Sequence, residues 1–204
     1  MKLNKIRDLS EQDLTKDKII SEDFLLHSDD KGLEVVYAPF DHINRIAKVV
    51  IIGITPGWTQ LEASYRYIIQ NKETKDDVLL KRVKNKASFS GSMRKNLISW
   101  LDGIGVYKSL SIKSSAELFN DLNQNTLHTT SVLRFPVFIN KNNYSGHNPK
   151  ILSNSYFRNQ IDCVFTPELE KFSNSLIIPL GSAVQTVINY IRGNEMINHK
   201  YISF

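Results

Sequence analysis

Four short segments carry residue types that could do chemistry. Gly53-Ile54-Thr55-Pro56-Gly57-Trp58 follows an apolar run, and its two glycines and one proline fix a tight turn into a helix. Glycine there lets a ligand approach the main chain, while Thr55 offers a hydroxyl that could orient water. The same residues also suit an ordinary strand-to-helix turn. Ala87-Ser88-Phe89-Ser90-Gly91-Ser92-Met93-Arg94 sets an aromatic among small residues, which fits a platform for stacking a nucleobase or, equally, a plug in the core. Leu180-Gly181-Ser182-Ala183 puts a glycine and a hydroxyl at a helix start, where free N–H groups and the helix dipole favour phosphate; Ser182 could also be a simple N-cap. The basic, amide-rich stretch 134–149 could follow a phosphodiester backbone or be a surface excursion. Arg94, Arg134 and Lys141 are the candidate phosphate contacts. Neither GxGxxG nor GxxxxGK[ST] occurs, so mononucleotide binding of those types drops out.

The elements that must position these segments read from periodicity. Lys48 to Gly53 (KVVIIG) is apolar on both faces, as a strand covered by helices on each side requires. Leu127 to Leu133 and Ser175 to Leu180 have the same character, and Tyr201 to Phe204 could begin a fourth strand. Helical spacing runs over Thr59 to Gln70, Met93 to Ile104 and Ser182 to Ile191, and Ser114 with Glu117 reads as a capping box opening a helix through Leu122. Alternating strands and helices predict one α/β domain over residues 1–204, a three-layer α/β/α sandwich around a central four-stranded, mostly parallel sheet. Ligands bind beyond the carboxyl ends of such strands, so the loops after Gly53, Leu133, Leu180 and Phe204 should share one rim.

Composition narrows the partners. The chain has 204 residues, 41% of them hydrophobic and 23% charged, enough to bury a core without a second domain. No apolar stretch approaches the roughly 20 residues of a membrane helix, and the N-terminus lacks a secretory signal, so a cytoplasmic protein is expected. Cys163 is the lone cysteine; no internal disulfide can form, and neither a metal site nor a cofactor is expected. The net charge of +5 suits an anionic partner such as DNA.

Taken in order, the four motifs resemble the uracil-DNA glycosylase superfamily over residues 35–204. Gly53-Ile54-Thr55-Pro56-Gly57 is similar to the turn that activates water, which reads Gly-Ile-Asn-Pro-Gly or Gly-Glu-Ala-Pro-Gly in members of the superfamily. Phe89-Ser90-Gly91 resembles the segment whose phenylalanine stacks on the flipped base. Thr130-Ser131-Val132-Leu133 occupies the strand end where members carry a base-reading asparagine, and Leu180-Gly181-Ser182-Ala183 resembles the loop that pinches a DNA phosphate. The resemblance implies the same α/β/α fold and excision of a deaminated or modified base, by a monomer that needs no metal. It implies Thr55 as the catalytic position, Ile54, Phe89 and Ser131 against the base, and Gly57, Gly181 and Ser182 with the basic residues against DNA. This chain departs from the pattern at Thr55, where members have Asn or Asp, and at Ser131. The four cysteines of the superfamily's iron–sulfur members are absent, and the His-Pro-Ser loop of the superfamily would begin past Phe204. His128 falls within a strand, which leaves His147 as the candidate to replace the missing histidine or to touch phosphate. Two alternatives stay open: a catalytically inactive DNA-binding or damage-sensing module of the same fold, and a small-molecule nucleoside or nucleotide hydrolase.

Overall fold

A computed structural model describes residues 2–120 and 125–194. In chain order the elements begin with α1 (Lys2–Arg7), α2 (Lys16–Ile19), β1 (Leu25–Ser28), β2 (Leu33–Val36), β3 (Val49–Gly53), α3 (Trp58–Gln70) and α4 (Asp76–Ala87). They continue with α5 (Ser92–Gly103), α6 (Val106–Ser109), β4 (Leu127–Ser131), β5 (Val137–Ile139), β6 (Asn142–Asn143), α7 (Ser155–Gln160), α8 (Thr166–Leu169), β7 (Leu176–Pro179) and α9 (Ser182–Gly193). A π turn, Ile161–Phe165, joins α7 to α8.

The described strands form two sheets. One is parallel, in the order β4-β3-β7, and the other is antiparallel, in the order β1-β2-β5-β6. All five residues of β3 are buried because helices cover both of its faces. Val49 and Ile51 pack with Leu97, Leu101 and Phe119, whereas Val50 and Ile52 pack with Phe157, Phe165, Val184 and Ile188. A third cluster joins α1, α3 and α4 to Val36 and Phe138 of the antiparallel sheet.

The mixed α/β class read from the sequence holds, and the single four-stranded parallel sheet does not describe what is seen. Three strands are parallel, four more make the separate antiparallel sheet, and the expected strand at Tyr201–Phe204 lies outside the described residues. The antiparallel strands escaped the reading because they are four residues or shorter and β5 falls inside the stretch taken as a loop. Of the helix expected from Ser114 through Leu122, the described part is a 3₁₀ turn, Ser115–Phe119, and residues 121–122 lie outside the described residues. There Ser114 Oγ donates to Asp102 Oδ2 at 2.7 Å and accepts from Ala116 N–H, while Glu117 accepts from Lys113 N–H rather than closing a capping box. Among the described residues no helix is long and apolar enough to cross a membrane.

Candidate functional site

The carboxyl ends of β3, β4 and β7 lie together, and a cleft of about 460 Å³ opens at that rim. Its walls include Ile54, Thr55 and Gly57, the turn Phe89 to Gly91, Asn143 to Ser145, and Leu180. Ile54, Thr55, Gly57 and Phe89, singled out from sequence, therefore border one space, although Phe89 is 5% exposed and also belongs to the core cluster around Val49, Ile51 and Leu97. Ser131 lines a water-sized chamber behind Phe89 instead. Gly181 borders a wider groove that shares Leu180, Ser92 and Met93 with the cleft, and Ser182 is exposed beside it.

Each wall is fixed by identifiable contacts. Thr55 Oγ1 donates to the Phe135 carbonyl at 2.9 Å and accepts from Val137 N–H at 3.1 Å, tying the turn after β3 to the segment entering β5. Its single proton is thus committed to the main chain, and one lone pair remains for water. Across the cleft mouth, Trp58 N–H donates to Asn143 Oδ1 at 2.8 Å. Gly146, at φ +92, closes the rim where a side chain could not fit: an added Cβ would lie 2.7 Å from Ala183 Cβ and 3.1 Å from Ile54 Cγ1.

Phe89 is held in the left-handed region at φ 53, which a phenylalanine rarely adopts. Two contacts retain it there: its N–H donates to Gln60 Oε1 at 3.0 Å, and its ring lies over Gly53, where a Cβ would approach the ring to 3.2 Å. The neighbouring Ser90 Oγ is buried without a hydrogen-bond partner among the described residues. The next helix, α5, starts from Gly91 and α9 starts from Gly181, both glycines at positive φ and neither helix with a side-chain cap. The N-cap of α9 is therefore Gly181, and Ser182 is the first helical residue. Both first turns keep N–H groups that can meet an anion.

The basic candidates fare differently. Arg94 turns inward, its Nε and Nη2 donating to the carbonyls of Asn85, Lys86 and Ser88 at the end of α4, with its guanidinium 4.9 Å from the Phe119 ring. Burial lowers its pKa, and it closes a helix end rather than meeting solvent phosphate. Arg134 also points inward, 2.6 Å from Glu168 Oε2. Lys141 is exposed in the tight turn between β5 and β6 and pairs with Asp17. His147 is exposed one residue beyond Gly146.

Behind Phe89 lies a buried polar group that the sequence reading missed. Lys84 of α4 is 6% exposed and donates to the His42 carbonyl at 2.6 Å. On the neighbouring edge of β4, His128 accepts the Asn44 N–H on Nδ1 at 3.3 Å and donates from Nε2 to Glu168 Oε1 at 2.9 Å, which fixes one neutral tautomer. Burial, joined by the charge of Lys84, pushes the His128 pKa down to about 4. Burial alone would raise that of Glu168, but the His128 hydrogen bond and the cations Lys84 and Arg134 outweigh it and hold the carboxyl far below its usual range. Among the described residues no cluster of three or more His, Cys, Asp or Glu could hold a metal.

Fold and site thus define an α/β protein with a partly apolar cleft at the carboxyl rim of a parallel sheet. The chain belongs to the same family as the uncharacterized protein YoxB of Bacillus subtilis (strain 168), to which it is 39% identical over 178 residues, covering 85% of this chain and 69% of that protein. No established family profile matches it, and no solved structure does.

Proposed function

We propose that this protein is a DNA glycosylase of the uracil-DNA glycosylase superfamily, which extrudes a deaminated or modified base and hydrolyses its N-glycosidic bond. The observation that carries the reading is the meeting of Ile54, Thr55 and Gly57 with Phe89 in one cleft at the carboxyl rim, although the two motifs lie far apart in sequence. Its volume falls in the range of small-ligand sites. In this reading the Phe89 ring stacks on the extruded base, Ile54 borders it, and a water held on the free lone pair of Thr55 attacks the sugar, while Ser131 stays behind the ring and does not touch the base. Gly57 and the uncapped turns at Gly91, Gly181 and Ser182 meet backbone phosphates, a role the inward Arg94 and Arg134 do not serve. The partner is DNA, no metal or cofactor takes part, and the protein acts as a cytoplasmic monomer. The finer fold belongs to the same proposal: a three-layer α/β/α sandwich whose parallel sheet takes a fourth strand beside β7, which pairs with β3 alone among the described strands.

One observation favours a second reading, a catalytically inactive DNA-binding or damage-sensing module. Thr55 is a neutral hydroxyl, too weak a base at neutral pH to take a proton from water, and its own proton is committed to the Phe135 carbonyl. The experiment that separates the two uses the full-length gene product and duplexes each carrying one deaminated or modified base, assayed for alkali-labile abasic sites. The enzyme reading expects release from at least one substrate, slowed ~10-fold or more in Phe89→Ala by loss of stacking worth ~1–3 kcal/mol. Binding without any abasic site selects the sensor.

A further inference from the structure

Lys84 is buried against a single acceptor. Its ammonium has three protons and one hydrogen-bond partner among the described residues, the His42 carbonyl. It forms no ion pair there, since Glu168 is paired with His128 and Arg134. Methionine would close the edge of β4 without the cost of burying a charge, so closing the sheet does not explain an ammonium at this place.

Its surroundings point toward the cleft. Lys84 borders two small chambers of about 30 and 20 Å³, each with room for a water. The second is also lined by Gln60, Phe89 and Ser131, and Gln60 and Phe89 are walls of the outer cleft as well. Gln60 Oε1 takes the Phe89 N–H, which leaves its amide protons to face the chamber or the cleft. Among the described residues no carboxylate lines this chamber, and its charged side chains are the cations Lys84 and Arg134 beside hydroxyls that can donate or accept.

We propose that Lys84, acting through the chamber behind Phe89, supplies the positive charge that stabilises the departing base as its glycosidic bond breaks. The inference rests on the glycosylase reading. In the step, the electron pair of the C1′–N bond leaves with the base and delocalises onto its ring nitrogens and oxygens. A water then adds to C1′, loses a proton to solvent, and the base is protonated on release. Lys84 donates hydrogen bonds toward the anionic edge through chamber water or Gln60, and transfers no group. The charges that face it are Glu168 and Arg134, which offset one another, the neutral His128, and Asp41 and His42 from the segment before β3; Lys81 lies one turn back on α4. Burial lowers its pKa to about 8, so the charge is present at neutral pH and disappears under mildly alkaline conditions.

The test is single-turnover base release by the full-length protein from about pH 6 to about pH 10, for the native protein, Lys84→Met and Lys84→Arg. The native rate should fall on the alkaline side as Lys84 loses its proton. Lys84→Met should lower the neutral rate ~10²-fold, the usual loss for one charge-stabilising donor, and abolish that alkaline fall. Lys84→Arg, which keeps the charge, should recover part of the rate and hold it into alkaline solution. A native-like rate in Lys84→Met, or an alkaline fall that survives in it, overturns the inference. Should Lys84→Met not fold, the native profile decides, and a flat alkaline side overturns the inference. If the native protein releases no base from any substrate, the glycosylase reading fails, and this role falls with it.

Discussion

At the scale of single residues, side chains at this rim that look reactive in the sequence are bound to the main chain. Arg94 closes the end of α4, and Thr55 joins the segments after β3 and before β5. Thr55→Val keeps the shape of the side chain but strands the Phe135 carbonyl and the Val137 N–H in a half-buried place. It should cost about 1–3 kcal/mol of stability, whereas Thr55→Ser, which keeps both bonds, should cost much less. Urea unfolding of the two variants checks this. A native midpoint for Thr55→Val would show that the hydroxyl does not tie the loops together and would return it to the cleft as a free water ligand.

At the scale of elements, the rim depends on loops that approach more closely than side chains allow. Gly146→Ala combines an unfavourable φ with a Cβ contact of 2.7 Å to Ala183, so it should destabilise by roughly 1–3 kcal/mol and push Tyr144 and Ser145 away from the cleft. Thermal melting reads the first effect and loss of DNA binding the second; a variant with native stability would mean that the loop 144–146 does not pack against α9 and Ile54. How much of this was legible follows from the strength of local signals. The turns at Gly53–Gly57 and Gly181 were readable because glycine and proline mark backbone that few residues can form, β3 and β7 because both-face burial leaves apolar runs, and β4 (LHTTS) through its β-branched threonines rather than an apolar run. Helix α4 was not readable in Asp76–Ala87, where charge fills half the positions and only Leu79, Val83, Lys84 and Ala87 are buried. Lys84 stayed hidden for the same reason, since a lysine in a charged helix looks solvated until the edge of β4 and the loop at His42 close over it.

At the scale of the whole molecule, the buried titratable groups set how stability varies with pH, and His128, Glu168 and Lys84 act in one direction. His128 is lowered from 6.5 to about 4, so between those values the unfolded chain binds a proton that the folded one does not, and stability falls as pH drops through that window. Glu168, held below its ordinary 4.5, extends the loss to lower pH. Lys84 is lowered from 10.5 to about 8, so the unfolded chain again holds the extra proton between those values, and stability rises as pH climbs from 8. Tyr37, Tyr65 and Tyr144 oppose this above 10, because burial keeps their hydroxyls protonated in the fold. The protein should therefore be most stable near pH 9 to 10 rather than at neutrality, with His128 and Lys84 each contributing roughly 3 kcal/mol across its window at about 1.4 kcal/mol per pKa unit. Urea unfolding at fixed ionic strength measures the curve, and two variants divide it. His128→Gln retains a donor for Glu168 and should flatten the acid side between pH 6.5 and 4, while Lys84→Met should raise stability at neutral pH and remove the alkaline rise. A native curve that declines from pH 7 to 9 would mean that Lys84 keeps its proton in the fold without cost, and the charge behind Phe89 would then lack the alkaline limit by which its role in base release is to be recognised.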